Sequence, residues 1–469
     1  MIGGRRLLEA WEPPEQAGKP FACIATSFTF DPDFFEIQCL GRFLMLDWQR
    51  EEGEQLDQLA SVVEQHAMFS DTAVTVVVDR TDDPGKRSLL WDLLRVRVRG
   101  GLMHAKVSLL VWEGYVRLII GSANLTPAGY REQVEAAVIL DAYAGSKAPR
   151  PVFVDALASL RSLINHTAPD AAEHGPRHRA FATLDLARRL LDGFGLQAEP
   201  SRREPRLAVG FSEPGRPALA LFRDVWRGGP PRWATVLSPF HDAPGAANSA
   251  PAALASLLAQ RGAAEIWFVL PTETRQAATV VRAPRQLASG APGRVKIHLN
   301  ALAVDAEEPR RLHAKAIILE SDSWVAAMIG SSNFTRAGLG LQRGVGHLEV
   351  NFAIGAAAGT KAAKALLALV PFGEEIDADD VEWEPDDEDD QAGDDPLPDG
   401  FAQATYLTGQ DPALHLQFDP DLGMPRVRQV CDPSERSVLD CQPWSDAGSP
   451  RTHDVPWKPQ PPVFGPSLF

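Results

Sequence analysis

Met103-His104-Ala105-Lys106, leading into the apolar run Val107–Trp112, returns 209 residues later as Leu312-His313-Ala314-Lys315, leading into 316–319. Gly121-Ser122-Ala123-Asn124-Leu125-Thr126 is answered at the same offset by Gly330-Ser331-Ser332-Asn333-Phe334-Thr335. Upstream, the apolar stretch 21–28 has a counterpart at 233–240. Each carries a serine (Ser27, Ser238) with an aspartate four positions on (Asp31, Asp242) at an offset of 211. A unit of about 200 residues is too long for a solenoid repeat. The pattern predicts a duplicated domain with pseudo-twofold symmetry.

Each copy alternates short apolar runs with stretches of three- and four-residue apolar spacing. Residues 57–69 and 152–164 read as amphipathic helices, and 73–78 and 265–270 as central strands. Such alternation predicts an α/β fold with mostly parallel sheets. The expected organisation is a first repeat over 1–200, a second over 201–372, an acidic linker over 373–398 and a small β-rich appendage over 399–469.

In a strand, residues i and i+2 share a face, so His104 projects with Lys106 and His313 with Lys315. Asn124 and Asn333 each follow a second apolar strand by way of a glycine that permits a sharp exit. Each half then offers an imidazole, an ammonium and a carboxamide. One histidine can attack phosphorus while a second protonates the leaving oxygen, and lysine and asparagine can hold the nonbridging oxygens. Each half holds one such histidine, so both halves must face one cleft. No metal or other cofactor is called for.

Two His-x-Lys motifs, each followed 18 residues after its lysine by the asparagine of Gly-Ser-x-Asn, resemble the phospholipase D superfamily over roughly residues 20–370. The resemblance implies two α-β-α repeats packed as a pair and a phosphodiesterase acting through phosphohistidine. It assigns attack to His104 and acid–base work to His313. Family members usually carry an aspartate five residues after the lysine. Val111 and Glu320 stand there instead, with Glu320 a possible substitute, and the chain is similar to tyrosyl-DNA phosphodiesterases in lacking that aspartate. Family members also place an acidic residue after the asparagine to orient an imidazole, which points to Glu135 and Glu349.

The formal charge of −16 is unevenly placed. Residues 374–395 hold 14 acidic side chains and no lysine or arginine, leaving 46 basic against 48 acidic residues elsewhere, a balance of −2. A basic cleft therefore remains compatible with the overall charge. Arg95, Arg97 and Arg99 alternate on one strand face leading toward His104, where they could equally track a phosphate backbone or form a solvated strand face. Ser122 and Ser331 are further candidates for substrate contact. His166, His174 and His178 share a polar loop with no zinc spacing. Asp31 and Asp242 read as helix caps.

Four cysteines without a paired motif, no apolar leader and no membrane-length apolar run suggest a cytoplasmic protein. The substrate expected is nucleic acid, DNA before RNA, with no membrane partner. The relatives implied by the resemblance suggest restriction or antiviral defence, with a helicase or another defence protein as partner. Alternatives are a phospholipase D acting on lipid head groups, a tyrosyl-DNA phosphodiesterase-like repair enzyme and a catalytically idle scaffold.

Overall fold

The computed structural model describes residues 7–46, 72–82, 88, 90–98, 100–170, 174–198, 201, 204–243, 249–259, 263–276, 278–289, 295–303, 310–342 and 346–385, together with six short strands beyond residue 400. The expected helix over 57–69 and Arg99 lie outside them. The chain divides into a unit spanning Met1–Gln391 and a second spanning Ala392–Phe469.

Two sheets form the first unit. The first is built from β1 (Pro20–Ser27), β2 (Ala73–Asp79), β3 (Asp92–Val96), β4 (Val107–Trp112), β5 (Tyr115–Gly121) and β7 (Ala137–Ala142), ordered β3-β2-β1-β4-β5-β7. The second contains β8 (Arg206–Ser212), β9 (Trp233–Leu237), β10 (Ala264–Leu270), β13 (Val295–Leu302), β15 (Ala316–Glu320), β16 (Trp324–Gly330), β17 (Glu349–Ala357) and β18 (Phe372–Glu375). Its order is β18-β13-β10-β9-β15-β16-β17-β8. Within it, β13-β10-β9-β15-β16-β17 follows the order of the first sheet strand for strand. The short pairs β6 (Gln133–Val134) with β14 (Arg311–Leu312), and β11 (Thr272–Arg275) with β12 (Ala278–Val281) and β19 (Glu382–Trp383), complete the unit.

The sheets are mixed, not mostly parallel. Among the described strands of the two large sheets, parallel pairing is confined to β1, β2 and β3 and to β9, β10 and β13. Only Glu113 and Gly114 separate β4 from β5, and a connection that short joins antiparallel neighbours. The same holds for β15 and β16, joined through Ser321-Asp322-Ser323.

The central strands are apolar on both faces because both faces are covered. Along β4, Val107, Leu109 and Val111 enter one core while Leu110 and Trp112 enter another. Helix α1 (Arg150–Asn165) starts directly after Pro149, with a second proline in its first turn. It buries Val152, Phe153, Ala156, Leu160, Leu163 and Ile164 at helical spacing. Helix α2 (Pro176–Gly193) adds Ala180, Leu184, Ala187 and Leu191 to that core. Val209 and Phe211 of β8 and Val350 and Phe352 of β17 also enter it, so one core is shared by both sheets.

The acidic stretch is not wholly a solvated linker. Its first part supplies Glu374 and Glu375 to β18, which pairs with β13, and forms β19, which pairs with β12. Ile376, Val381 and Trp383 pack on a core built on β9, β10 and β15 of the second sheet, and Glu384 meets Arg275 at 2.7 Å and Arg282 at 3.3 Å. Three apolar side chains and nearby guanidinium groups outweigh the like-charge repulsion there. Residues 386–395 lie outside those described. In the second unit, β20 (Phe401–Leu407), β21 (Ala413–Phe418) and β24 (Thr452–Pro456) form one antiparallel sheet. There β22 (Gln429–Cys431), β23 (Ser437–Asp440) and β25 (Ser467–Leu468) form another.

Candidate active site

The segments preceding β4 and β15 are each laced to the opposite half of the chain. Met103 bridges Leu348 in parallel, Leu348 N donates to Leu102 O at 2.8 Å, and His104 N donates to Leu348 O at 2.9 Å. On the other side Arg311 and Leu312 of β14 pair with Gln133 and Val134 of β6, and His313 N donates to Val134 O at 3.0 Å. The residue after each of those partner segments is a glutamate, Glu349 in one case and Glu135 in the other. Backbone register therefore delivers each carboxylate to the histidine of the other repeat.

His104 Nδ1 donates to both carboxylate oxygens of Glu349, at 3.0 and 3.1 Å. His313 Nδ1 donates to Glu135 Oε1 at 2.6 Å. Both imidazoles are buried, His104 at 1 % and His313 at 3 % exposure, and Glu349 is fully enclosed. Donation from Nδ1 leaves Nε2 as the atom available for chemistry on each ring. Burial alone would raise the Glu349 carboxyl. The His104 ring and its hydrogen bond, then Lys106 and His347, outweigh burial and hold it below the usual carboxylate range.

Lys315 Nζ donates to His313 Nε2 at 3.0 Å. Burial, with Lys315 next and Lys106 also contributing, pushes the His313 imidazole down to about 4 against the opposing pull of Glu135. The resting ring is thus neutral at physiological pH. The Glu135 carboxylate that orients His313 also accepts from Ser122 of the first Gly-Ser-x-Asn segment, so buried residues of both motif sets meet at that carboxylate.

Thr26, at the end of β1, ties the first His-x-Lys segment to the sheet. Its hydroxyl donates to Ala105 O at 2.7 Å and accepts from Val107 N at 2.9 Å, gripping the chain on either side of Lys106. Asp79, buried at the end of β2, accepts from Met103 N at 2.6 Å. The Asn124 carboxamide oxygen accepts from Phe28 N at 3.1 Å and Ser27 Oγ at 3.4 Å, which turns its NH2 group toward donation elsewhere. Asn333 is buried at the matching place in the second repeat.

The glycines of Gly-Ser-x-Asn are required by close approach. A Cβ at Gly121 would stand 2.6 Å from Ala136 O, and one at Gly330 would stand 2.5 Å from Val350 O. The two serines of these segments, Ser122 and Ser331, sit inside this packing. Both are fully enclosed: the Ser122 hydroxyl donates to Glu135 and accepts from Ala136 N at 3.0 Å, while Ser331 Oγ accepts from Val350 N at 3.1 Å. They anchor the segments that carry the two glutamates.

Arg95 lies in β3, the outer strand of the first sheet, separated from β4 by β2 and β1, and Arg97 follows it with its N–H donating to His166 O at 3.1 Å. Glu320 sits at the far end of β15 from Lys315, opposite Trp233 and Val325. Burial and the neighbouring Asp322 raise its carboxyl. Asp31 caps the turn at Pro32–Phe34, accepting from Phe34 N at 2.8 Å. Asp242 instead accepts from Arg336 N at 2.8 Å and fastens the loop after Asn333.

Sequence reasoning missed Thr26, whose counterpart in the second repeat is Leu237, and His347. The His347 ring lies 6.2 Å from that of His104. The spacing His-x-Glu ahead of an apolar strand was its one sequence signal. Among the described residues, no group of three or more His, Cys, Asp or Glu side chains could hold a metal ion, and no helix is long and apolar enough to cross a membrane.

No protein-family profile matches the chain, and no curated protein matches it in sequence. The chain is similar to solved structures of yeast tyrosyl-DNA phosphodiesterase. A point mutant of yeast tyrosyl-DNA phosphodiesterase 1 matches with a TM-score of 0.44 and 11 % identity, over 74 % of this chain and 84 % of that one. A second structure of the yeast enzyme matches with a TM-score of 0.42 and 11 % identity, over 71 % and 82 %.

Proposed function

We propose that this chain is a phosphodiesterase that cleaves nucleic acid, DNA in preference to RNA, by a two-step mechanism requiring no metal. The observation that carries the reading is the reciprocal bonding of the buried His104 to Glu349 and of the buried His313 to Glu135. A pair of carboxylate-oriented imidazoles with two ammonium groups and two carboxamides is the equipment for phosphoryl transfer through an enzyme-bound intermediate. The matching strand orders support two repeats related by a pseudo-twofold axis, with the site between them.

In the first step His104 Nε2 forms a bond to phosphorus as the P–O bond to the leaving group breaks. The leaving oxygen takes the proton from His313 Nε2. His313 acquires that proton when the anionic diester enters, because a negative charge beside the ring opposes the burial and the Lys315 charge that hold it neutral. Lys106, Lys315, Asn124 and Asn333 hold the nonbridging oxygens. In the second step water attacks phosphorus, the P–N bond breaks and His313 takes the proton from water. Glu349 stabilises the cationic ring of phosphorylated His104.

The test is cleavage of labelled single- and double-stranded DNA, RNA and choline lipid vesicles in excess EDTA. Nucleic-acid cleavage that persists in chelator and disappears in His104→Ala and His313→Ala is expected. Cleavage confined to the lipid, or unaffected by both substitutions, overturns the reading.

A further inference from the structure

The two flanks of the site are not alike. Where the segment before Glu135 carries Gln133, the segment before Glu349 carries His347. His347 and Glu349 flank Leu348, which pairs with the chain at Met103, so both side chains fall on the same side of that segment. The His347 ring lies 6.2 Å from the His104 ring and tilted 45° to it. It also contributes to holding the Glu349 carboxyl down. It is half-buried, in contrast to the enclosed residues around it.

Its tautomer is set by the backbone. Leu102 N donates to His347 Nδ1 at 3.2 Å, so in the neutral ring the proton resides on Nε2. A third imidazole is thereby held beside His104 as a donor of fixed orientation, on a segment already locked by the cross-repeat backbone pairing.

We propose that His347 contacts the substrate, its Nε2–H donating to an oxygen of the scissile phosphate on the His104 side, and that it distinguishes the two ends of the bound diester. The inference rests on the phosphodiesterase reading. It accounts for the difference between the two copies at this pair of positions: a diester with unlike alcohols needs unlike flanks.

Amide substitutions separate this role from a structural one. In His347→Asn the side-chain oxygen falls near the place of Nδ1, keeping the bond from Leu102 N while withdrawing the donor. In His347→Gln the amide nitrogen falls near the place of Nε2, keeping the donor and giving up that bond. His347→Ala removes both. With an oligonucleotide substrate in EDTA, His347→Asn and His347→Ala are expected to lose roughly 10- to 100-fold in kcat/KM, the size of one hydrogen bond to a charged oxygen. His347→Gln is expected to recover most of that loss. Wild-type kcat/KM in His347→Asn, or equal losses in all three variants, overturns the proposal. Inactivity of His104→Ala alongside an unaffected His347 series removes only this inference. Undiminished cleavage by His104→Ala and His313→Ala removes the phosphodiesterase reading beneath it.

Discussion

Replacing Glu349 by glutamine removes a charge from the centre of the site while keeping its shape. The carboxylate is fully enclosed and receives His104 Nδ1–H on both oxygens. A ring carrying positive charge about 4 Å from the carboxylate is stabilised by about 4 kcal/mol at an effective dielectric constant of about 20. The glutamine carbonyl still accepts from Nδ1, so about 1 kcal/mol of that interaction is retained. The remaining ~3 kcal/mol corresponds to a loss on the order of 100-fold in kcat/KM. The neutral ground-state ring loses less, so under the proposed mechanism the effect falls on the phosphorylated ring and kcat falls more than KM changes. The assay is steady-state cleavage of a labelled oligonucleotide in EDTA, with thermal unfolding followed by circular dichroism to establish that the variant is folded. A folded Glu349→Gln protein within about threefold of wild type would refute the claim that this carboxylate supports a cationic ring.

Two further outcomes follow from the geometry. The His313 ring sits at about 4 when the site is empty and rises on binding an anion, so binding takes up a proton. Affinity for a phosphorothioate diester, whose charge is constant across this range, should fall up to tenfold per pH unit as pH rises from about 4 toward the bound-state value; a His313→Ala variant should flatten that slope, and an equally steep slope in it would show the proton to reside elsewhere. A methyl group at Gly330 would stand 2.5 Å from Val350 O, on the strand that carries Glu349. Gly330→Ala should therefore cost about 1–3 kcal/mol in denaturant unfolding and lower kcat at the same time, whereas unchanged stability would mean that the strand yields freely.

Much of this was legible in the chain itself. Two His-x-Lys segments, two Gly-Ser-x-Asn segments and their common offset match the two halves of the chain in sequence and single out candidate groups, because each motif is a short segment at the end of a strand. Strands β1, β2, β4, β5, β9, β10, β15 and β16 and helix α1 read out of apolar spacing, since local burial leaves a local pattern. The mixed pairing of the sheets was less visible. It follows from loops of two and three residues, which apolar periodicity does not register.

What the sequence by itself determined is the inventory: which side chains can do chemistry, that they come in two sets, and that each set has a glutamate after its asparagine. Only the tertiary structure decided that the glutamates cross over, joining residues 245 and 178 positions apart, and that Ser122 and Ser331 are enclosed and bonded to the segments that carry them. It alone places His347 beside His104 and leaves Arg95 on an outer strand. The reason is physical. Periodicity reports which face of an element is buried, but partners across two sheets are chosen by backbone register between distant segments, and no local spacing encodes that register.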